Sequence, residues 1–361
     1  MISIADVTAR ALDIELHEPF GIATGAQLVA NNVLVTVTLS DGTVGIGEVA
    51  PFPAVSGETQ SAVLGALRDT RAAFIGANAL RFRVAAELAR EALPAVPSAR
   101  AGFESALLDA FCQRAELSLW SFFGGAEKAL VSDITIPTGS PEDAERAARR
   151  ALENGFRTLK IKVGGAAFDH DRARLLAITE AAPHAELVLD ANASLSADAA
   201  LELLAALGHA RARVTLFEQP CGKFDFDSLR RVRQRAGTRV AADESACSAS
   251  DVVNLIQERA VDAINIKTMK SGIVEAMNMV AVARAAKLEL MIGGMVETRL
   301  SMTVSACLAA GMGGFRFVDL DTPWFMKNEP FTSASGWDTP GATLRVDQIA
   351  RGHGVKLTER R

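Results

Sequence analysis

From about residue 130 onward, short apolar runs alternate with segments of helical periodicity. The runs are Ile134-Thr135-Ile136, Leu159-Lys160-Ile161-Lys162-Val163, Leu187-Val188-Leu189-Asp190, Val214-Thr215-Leu216-Phe217-Glu218, Val240-Ala241-Ala242-Asp243, Ala263-Ile264-Asn265-Ile266-Lys267, Leu290-Met291-Ile292-Gly293 and Phe315-Arg316-Phe317-Val318-Asp319. Apolar runs of this length read as strands buried on both faces, and the segments between them as helices. Charged positions 162, 190, 218, 243 and 267 end the second to sixth runs, spaced by 28, 28, 25 and 24 residues, and 319 lies two units further on. Eight strand-then-helix units with this period predict an α/β chain built on a (β/α)8 barrel of the TIM type. A doubly wound open sheet is the alternative.

The first third has a different texture. Residues 1 to about 50 hold two β-rich runs, the clearest being Val33 to Leu39, and Ser40-Asp41-Gly42-Thr43 supplies a hairpin turn. Residues from about 58 to 120 are rich in Ala, Leu and Arg with helical periodicity. Strands followed by helices form an α+β domain. We therefore expect an α+β capping domain over residues 1–125, a barrel over 126–324, and a tail over 325–361 that packs back on the capping domain. The closing Arg360-Arg361 pair reads as solvated.

Composition narrows the function. The chain has 361 residues, 49% apolar and 22% charged, as globular proteins do. A formal net charge of −5 argues against a nucleic-acid partner. No charge-free apolar stretch of about 18 residues is present, so no membrane span is expected. The N-terminus does not read as a signal peptide. Cys112, Cys221, Cys247 and Cys307 form no CxxC pattern, which suggests reduced thiols and a cytoplasmic location. Tyrosine is absent, so tyrosine chemistry is excluded.

Active sites of such barrels form at the C-terminal ends of the strands. Six of the eight ends here carry charge: Lys162, Asp190, Glu218, Asp243, Lys267 and Asp319. Asp190, Glu218 and Asp243 end three consecutive strands only about 5 Å apart. Three such anions call for a cation, and oxygen donors without His or Cys favour Mg²⁺ over Zn²⁺. Salt bridges to the lysines are the bland alternative, but two lysines do not balance three carboxylates. Strands 2 and 6 face each other, so Lys162 and Lys267 flank the centre from opposite sides. Strand 8 ends in Asp319-Leu320-Asp321, whose acids share one face and oppose the carboxylate triad. A substrate carboxylate would meet the metal, a substrate cation the aspartates, and the carbon between them the two amines. Removal of a proton by one lysine and return by the other is racemisation or epimerisation. Lys160, on the face of Lys162, would supply a cation that favours a neutral base.

Several features are discounted. Gly42-Thr43-Val44-Gly45-Ile46-Gly47 lies in a predicted hairpin with no helix opening at its third glycine, so it reads as turn usage rather than a nucleotide loop. The five histidines do not pair at ligand spacing and read as surface or packing residues.

At these positions the sequence resembles the enolase superfamily, in its muconate-lactonising subgroup. The motifs are Lys160-Ile161-Lys162, Leu189-Asp190-Ala191-Asn192, Phe217-Glu218-Gln219-Pro220, Ala242-Asp243-Glu244-Ser245 and Asn265 through Gly272. The resemblance implies a single Mg²⁺ per subunit, replaceable by Mn²⁺, on Asp190, Glu218 and Asp243. It implies Lys162 and Lys267 as the acid/base pair, Lys160 as their support, Lys270 as structural, and Asn192 and Glu244 as groups that orient the ligands. Within the subgroup the likeness is to dipeptide epimerases, through Gly294-Met295-Val296-Glu297-Thr298-Arg299-Leu300 and the Asp319/Asp321 pair, which in those enzymes holds the α-ammonium. Thr135, Lys160, Met295 and Gly25 are further substrate-contact candidates. Members acting on L-Ala-D/L-Glu carry a basic residue in the early capping loop. Here Phe20-Gly21-Ile22-Ala23-Thr24-Gly25 has none, so a small or apolar side chain is expected at the reacting residue. A homo-oligomer is expected. Other readings are an N-acylamino-acid racemase, an o-succinylbenzoate synthase or a cycloisomerase, and, in another class, a catalytically dead binding protein.

Overall fold

The computed structural model describes residues 2–22, 25–337 and 343–358. Ala23 and Thr24 of the capping loop and the Arg360-Arg361 pair therefore lie outside the described residues. Three antiparallel strands, β1 (Ile4–Ile22), β2 (Gly25–Leu39) and β3 (Val44–Val49), pair in sequence order. The turn between β2 and β3 closes where Gly42 N–H donates to the Leu39 carbonyl at 2.9 Å, with Gly42 at φ +87°. Helices α1 (Gln60–Phe74), α2 (Phe82–Ala92) and α3 (Pro97–Arg114) cover one face of this sheet. Val33, Val35, Val37 and Leu39 alternate inward along β2 and meet Phe74, Phe103 and Leu107 from the helices.

Gly45 and Gly47 belong to packing as well as to the hairpin, which corrects the turn-only reading. A Cβ at Gly47 would collide with the Gly102 carbonyl on α3, and one at Gly45 with that of Ala106. The strand lies directly on the helix backbone because no side chain intervenes. We expect Gly47→Ala to lower stability by about 1–3 kcal/mol, the usual penalty for overpacking. Urea denaturation checks this, and an unchanged midpoint would contradict it.

The rest of the chain alternates strand and helix. In order these are β4 (Ile134–Ile136), α4 (Pro141–Glu153), β5 (Thr158–Lys162), α5 (Phe168–Ala181), β6 (Glu186–Asp190), α6 (Ala197–Ala206), β7 (Val214–Glu218) and α7 (Phe226–Arg235). Then follow β8 (Arg239–Ala242), α8 (Ala249–Gln257), β9 (Ala263–Ile266), α9 (Ile273–Ala285), β10 (Glu289–Ile292), α10 (Arg299–Met312) and β11 (Phe315–Val318). The eight strands form one parallel sheet in sequence order. Its two edges meet where Asp133 N–H donates to the Val318 carbonyl at 2.8 Å and Leu320 N–H to Ser132 Oγ at 2.9 Å. Helix starts follow local chemistry: Ser140 and Asp143 form a capping box on α4, and Ser196, Asp225 and Ser248 cap α6, α7 and α8. The eighth strand departs from the repeat. It is followed by a 3-10 turn, Thr322–Phe325, rather than a helix.

The tail after that turn touches the first sheet. Lys327 N–H donates to the Glu15 carbonyl at 2.8 Å, and Phe325, Met326, Phe331 and Val355 pack with Leu12, Ile14 and Leu16. His353 is buried, 3.2 Å from Asp109 of α3 and 3.0 Å from the Ile46 carbonyl. No helix among the described residues is long and apolar enough to cross a membrane.

Candidate active site

Side chains alternate across a strand, so residues two apart share the barrel interior. Val188, Leu216, Ala241, Ala263, Met291 and Phe317 fill one interior layer. Two residues further along each strand the interior turns polar: Asp190, Glu218, Asp243, Asn265, Gly293 and Asp319. Cross-strand register aligns Lys162 with Asp190 and Asp190 with Glu218. The apolar layer is thus a floor, and the charged groups stand together above it.

All of these charged groups are buried. Lys162 Nζ lies 2.6 Å from Asp190 Oδ2, and Lys267 Nζ lies 2.8 Å from Asp243 Oδ2. Lys160 reaches Asp190 at 3.1 Å, Glu218 at 2.7 Å and Asp319 at 2.6 Å. Lys270 holds both the Asp243 carboxylate and its carbonyl at 2.6 Å. Four ammonium groups therefore meet the three carboxylates, not two. Lys160 and Lys270 make up the difference, so charge counting alone does not require a metal. Lys270 does more than pack, because it fixes the Asp243 side chain.

The electrostatics follow from burial and from these contacts. Burial alone would raise Asp190 and Asp243, but Lys162 and Lys160 outweigh it for Asp190, and Lys267 and Lys270 for Asp243. Both stay below the usual carboxylate range. Burial, reinforced by Asp190, pushes Glu218 up to about 7. Burial opposes the charge on Lys267, yet Asp243 and Glu218 outweigh it and hold the ammonium above its ordinary range. Lys160 is likewise raised against its burial by Asp319, Glu218 and Asp190. At Lys267 the facing carboxylates thus outweigh the opposing charge of Lys160.

The donor set suits a hard divalent ion. Three buried carboxylates from adjacent strands present oxygen only. Glu218 Oε2 accepts no well-aligned hydrogen bond although Lys160 Nζ is 2.7 Å away, and Asn192 Oδ1 and Glu244 Oε2 beside the triad are buried without donors. Oxygens left this way mark a place built for a cation.

The supports are mostly backbone and amide contacts. Asn192 N–H donates to Asp190 Oδ1 at 3.0 Å, and its side chain to Glu244 at 3.2 Å. Asn265 Nδ2 donates to Glu218 Oε1 at 2.7 Å. Gln219 Oε1 accepts from the backbone of Asp243 at 2.9 Å and of Ser245 at 3.1 Å. Arg174 on α5, almost wholly buried, donates to the Lys162 carbonyl at 2.7 Å and the Pro137 carbonyl at 2.6 Å. It pins the ends of β5 and β4 together. We expect Arg174→Met to lower kcat by about 10- to 100-fold, as loss of an outer partner does. Proton exchange through Lys162 should suffer more than exchange through Lys267. Equal losses from both epimers of a substrate would refute this.

Across the barrel, Asp319 is held by Lys160, and Asp321 accepts from Thr135 N–H at 2.5 Å. Burial, with Asp319 nearby, pushes Asp321 up to about 7. Phe20, Phe52 and Val55 of the first domain and Met295 and Met302 of the barrel wall the cleft between the triad and these aspartates. Asn32 Nδ2 donates to the Val296 carbonyl at 2.9 Å, and Thr298 N–H to Glu48 at 3.0 Å, so the Met295 loop is anchored to the first sheet. Gly25 lies apart from this cleft and lines a neighbouring groove with Leu28 and Pro53. The free space in the cleft is small, about 30 Å³. A larger substrate must displace lysine ammonium groups or capping side chains.

Comparison with known proteins agrees with this architecture. The profile for the mandelate racemase / muconate lactonizing enzyme N-terminal domain matches residues 4–124, and that for the enolase C-terminal domain-like fold matches residues 142–361. An aromatic dipeptide epimerase from Herpetosiphon aurantiacus is 44% identical over 98% of this chain and 99% of its own. The crystal structure of a dipeptide epimerase from Enterococcus faecalis with Mg and the dipeptide L-Leu-L-Tyr is 33% identical, covers 98% of this chain and 99% of its own, and has a TM-score of 0.93. A substrate-liganded L-Ala-D/L-Glu epimerase from Bacillus subtilis is 30% identical over 98% of each chain, also with a TM-score of 0.93.

Proposed function

Because the chain belongs to the mandelate racemase/muconate lactonizing enzyme group of the enolase superfamily, we propose that it is a magnesium-dependent dipeptide epimerase acting at the α-carbon of the C-terminal residue. The observation that carries this reading is the four-part interior: the carboxylate triad faces Asp319 and Asp321, and Lys162 and Lys267 stand between them on the second and sixth strands.

In this reading Asp190, Glu218 and Asp243 hold Mg²⁺. The bound ion supplies positive charge to the substrate carboxylate as the neighbouring carbon becomes acidic. Asp319 and Asp321 hold the α-ammonium, and Thr135 N–H fixes Asp321 in place. The dipeptide is thereby stretched between two poles, which brings its α-carbon between Lys162 Nζ and Lys267 Nζ. One amine takes the proton and the opposite ammonium returns one to the other face. To act as a base, each lysine must leave its carboxylate partner and shed its proton. Lys160, shared among Asp190, Glu218 and Asp319, keeps a fixed positive charge beside Lys162 when that happens.

The wall of Phe20, Phe52, Val55 and Met295 offers the reacting residue an apolar surface. A buried acidic side chain would find no basic partner there and would be costly. Kinetics on a panel of L,L-dipeptides tests this. Ala-Leu and Ala-Phe types should exceed Ala-Glu in kcat/KM by about 10-fold or more, and the reverse order would sink the apolar assignment. Four cysteines without a disulfide among them suit a cytoplasmic enzyme.

A further inference from the structure

One carboxyl group beside Asp319 and Asp321 is not accounted for by this scheme. Asp133 precedes β4 and shares the inward face of Thr135. Its carboxylate, with those of Asp319 and Asp321, forms a cluster in which one oxygen of each lies within 4.8 Å of the others. All three side chains are buried, Asp133 to 3% exposure. Asp133 Oδ1 is buried and accepts no hydrogen bond. Among the described residues Asp319 pairs with Lys160 and Asp321 takes the Thr135 N–H, whereas no ion pair reaches Asp133. Lys160 is already divided between Asp319 and two carboxylates of the triad. An acceptor left bare inside a protein costs a large part of its hydration. The cluster therefore keeps one unmet acceptor, and it belongs to Asp133.

The donor that suits this cluster follows from its free acceptors. A primary ammonium has three N–H donors at tetrahedral angles. Lys160 already occupies Asp319 Oδ2 and Thr135 N–H occupies Asp321 Oδ2, so each of these carboxylates keeps one free oxygen, and Asp133 Oδ1 offers the third acceptor. We propose that Asp133 is the third acceptor for the substrate's α-ammonium, and that the enzyme therefore selects a primary amine against a secondary one. The inference rests on the dipeptide reading given above and deepens it. A dipeptide with an N-methyl group, or with proline at its N-terminus, has only two N–H donors and must place carbon against one of the three carboxylates.

The test is a comparison of substrates in two proteins. The kcat/KM for an unmodified L,L-dipeptide and its N-methyl analogue is measured in the wild type and in Asp133→Ala, which leaves no side-chain acceptor, both loaded with Mg²⁺. In the wild type, N-methylation should lower kcat/KM by about 10- to 100-fold, the scale of one lost charge-assisted hydrogen bond. Asp133→Ala should weaken the unmodified dipeptide by a similar factor, chiefly through KM. N-methylation should then cost it less than about threefold more, because both changes remove the same contact. A merely structural Asp133 would leave the N-methyl penalty intact in the variant, and that result would overturn the proposal. If the variant does not fold, the wild type alone decides: N-methyl and N-terminal-proline dipeptides turned over as well as their primary-amine parents would overturn it. Absence of α-proton exchange with every dipeptide would overturn the dipeptide reading as well. Turnover of the parent without any N-methyl penalty would overturn the role of Asp133 alone.

Discussion

Lys267→Ala and Lys162→Ala should each lower the rate of epimerisation by about 10³-fold or more, within the range that a positioned acid or base contributes. The two variants should not fail in the same way. Lys162 ends the second strand and Lys267 follows the sixth, so in the proposed scheme each would address a different face of a substrate held between the triad and Asp319/Asp321. Removing one leaves the other able to exchange the α-hydrogen of a single epimer with solvent. Lys162→Ala should exchange one epimer and Lys267→Ala the opposite one. Exchange is followed by mass spectrometry in D₂O, and epimer formation by chiral chromatography. Exchange of both epimers in either variant would refute the two-base scheme. Folding should survive both changes, because each lysine makes one ion pair at the rim of the barrel rather than a contact in its apolar floor.

Loss of a metal ligand is the second large effect. Glu218→Gln keeps the shape of a fully buried side chain and its hydrogen bond from Asn265, but removes one of three charges. Mg²⁺ affinity should fall by more than the roughly 10- to 100-fold that loss of an outer partner costs, and turnover at fixed Mg²⁺ should fall with it. Titration calorimetry with Mg²⁺ measures the first and saturation kinetics the second. The variant should be at least as thermally stable as the metal-free wild type, since burial of that carboxylate is unfavourable enough to push it up to about 7. Unchanged affinity would remove Glu218 from the ligand set.

The barrel was legible because its strands are buried on both faces. Such strands read as apolar runs, and apart from Lys160 and Arg316 inside them charge appears where the mouth begins, at Lys162, Asp190, Glu218, Asp243, Lys267 and Asp319. Parity then carried Lys160 and Asp321 to the same side. What stayed hidden were contacts that have no period. Arg174 serves two backbone carbonyls, and Gln219 bridges two loops through one amide. Nothing in an arginine on a helix announces that it is buried. Lys270 read as structural, but its partner stayed hidden: the short helical turn Thr268–Ser271 brings it back onto Asp243. Asp133 precedes a three-residue strand, too short for its alternation to be seen. Gly45 and Gly47 looked like turn residues because the helix against them lies more than 50 positions away.

The central claim is that this interior moves a proton on and off the α-carbon of a dipeptide's C-terminal residue. Incubation of the Mg²⁺-loaded protein with a free-amine L,L-dipeptide of apolar sequence in D₂O tests it directly. One deuterium at that α-carbon, with the second epimer appearing alongside, is the expected result. A panel of such dipeptides that gains neither deuterium nor a second epimer would contradict the account.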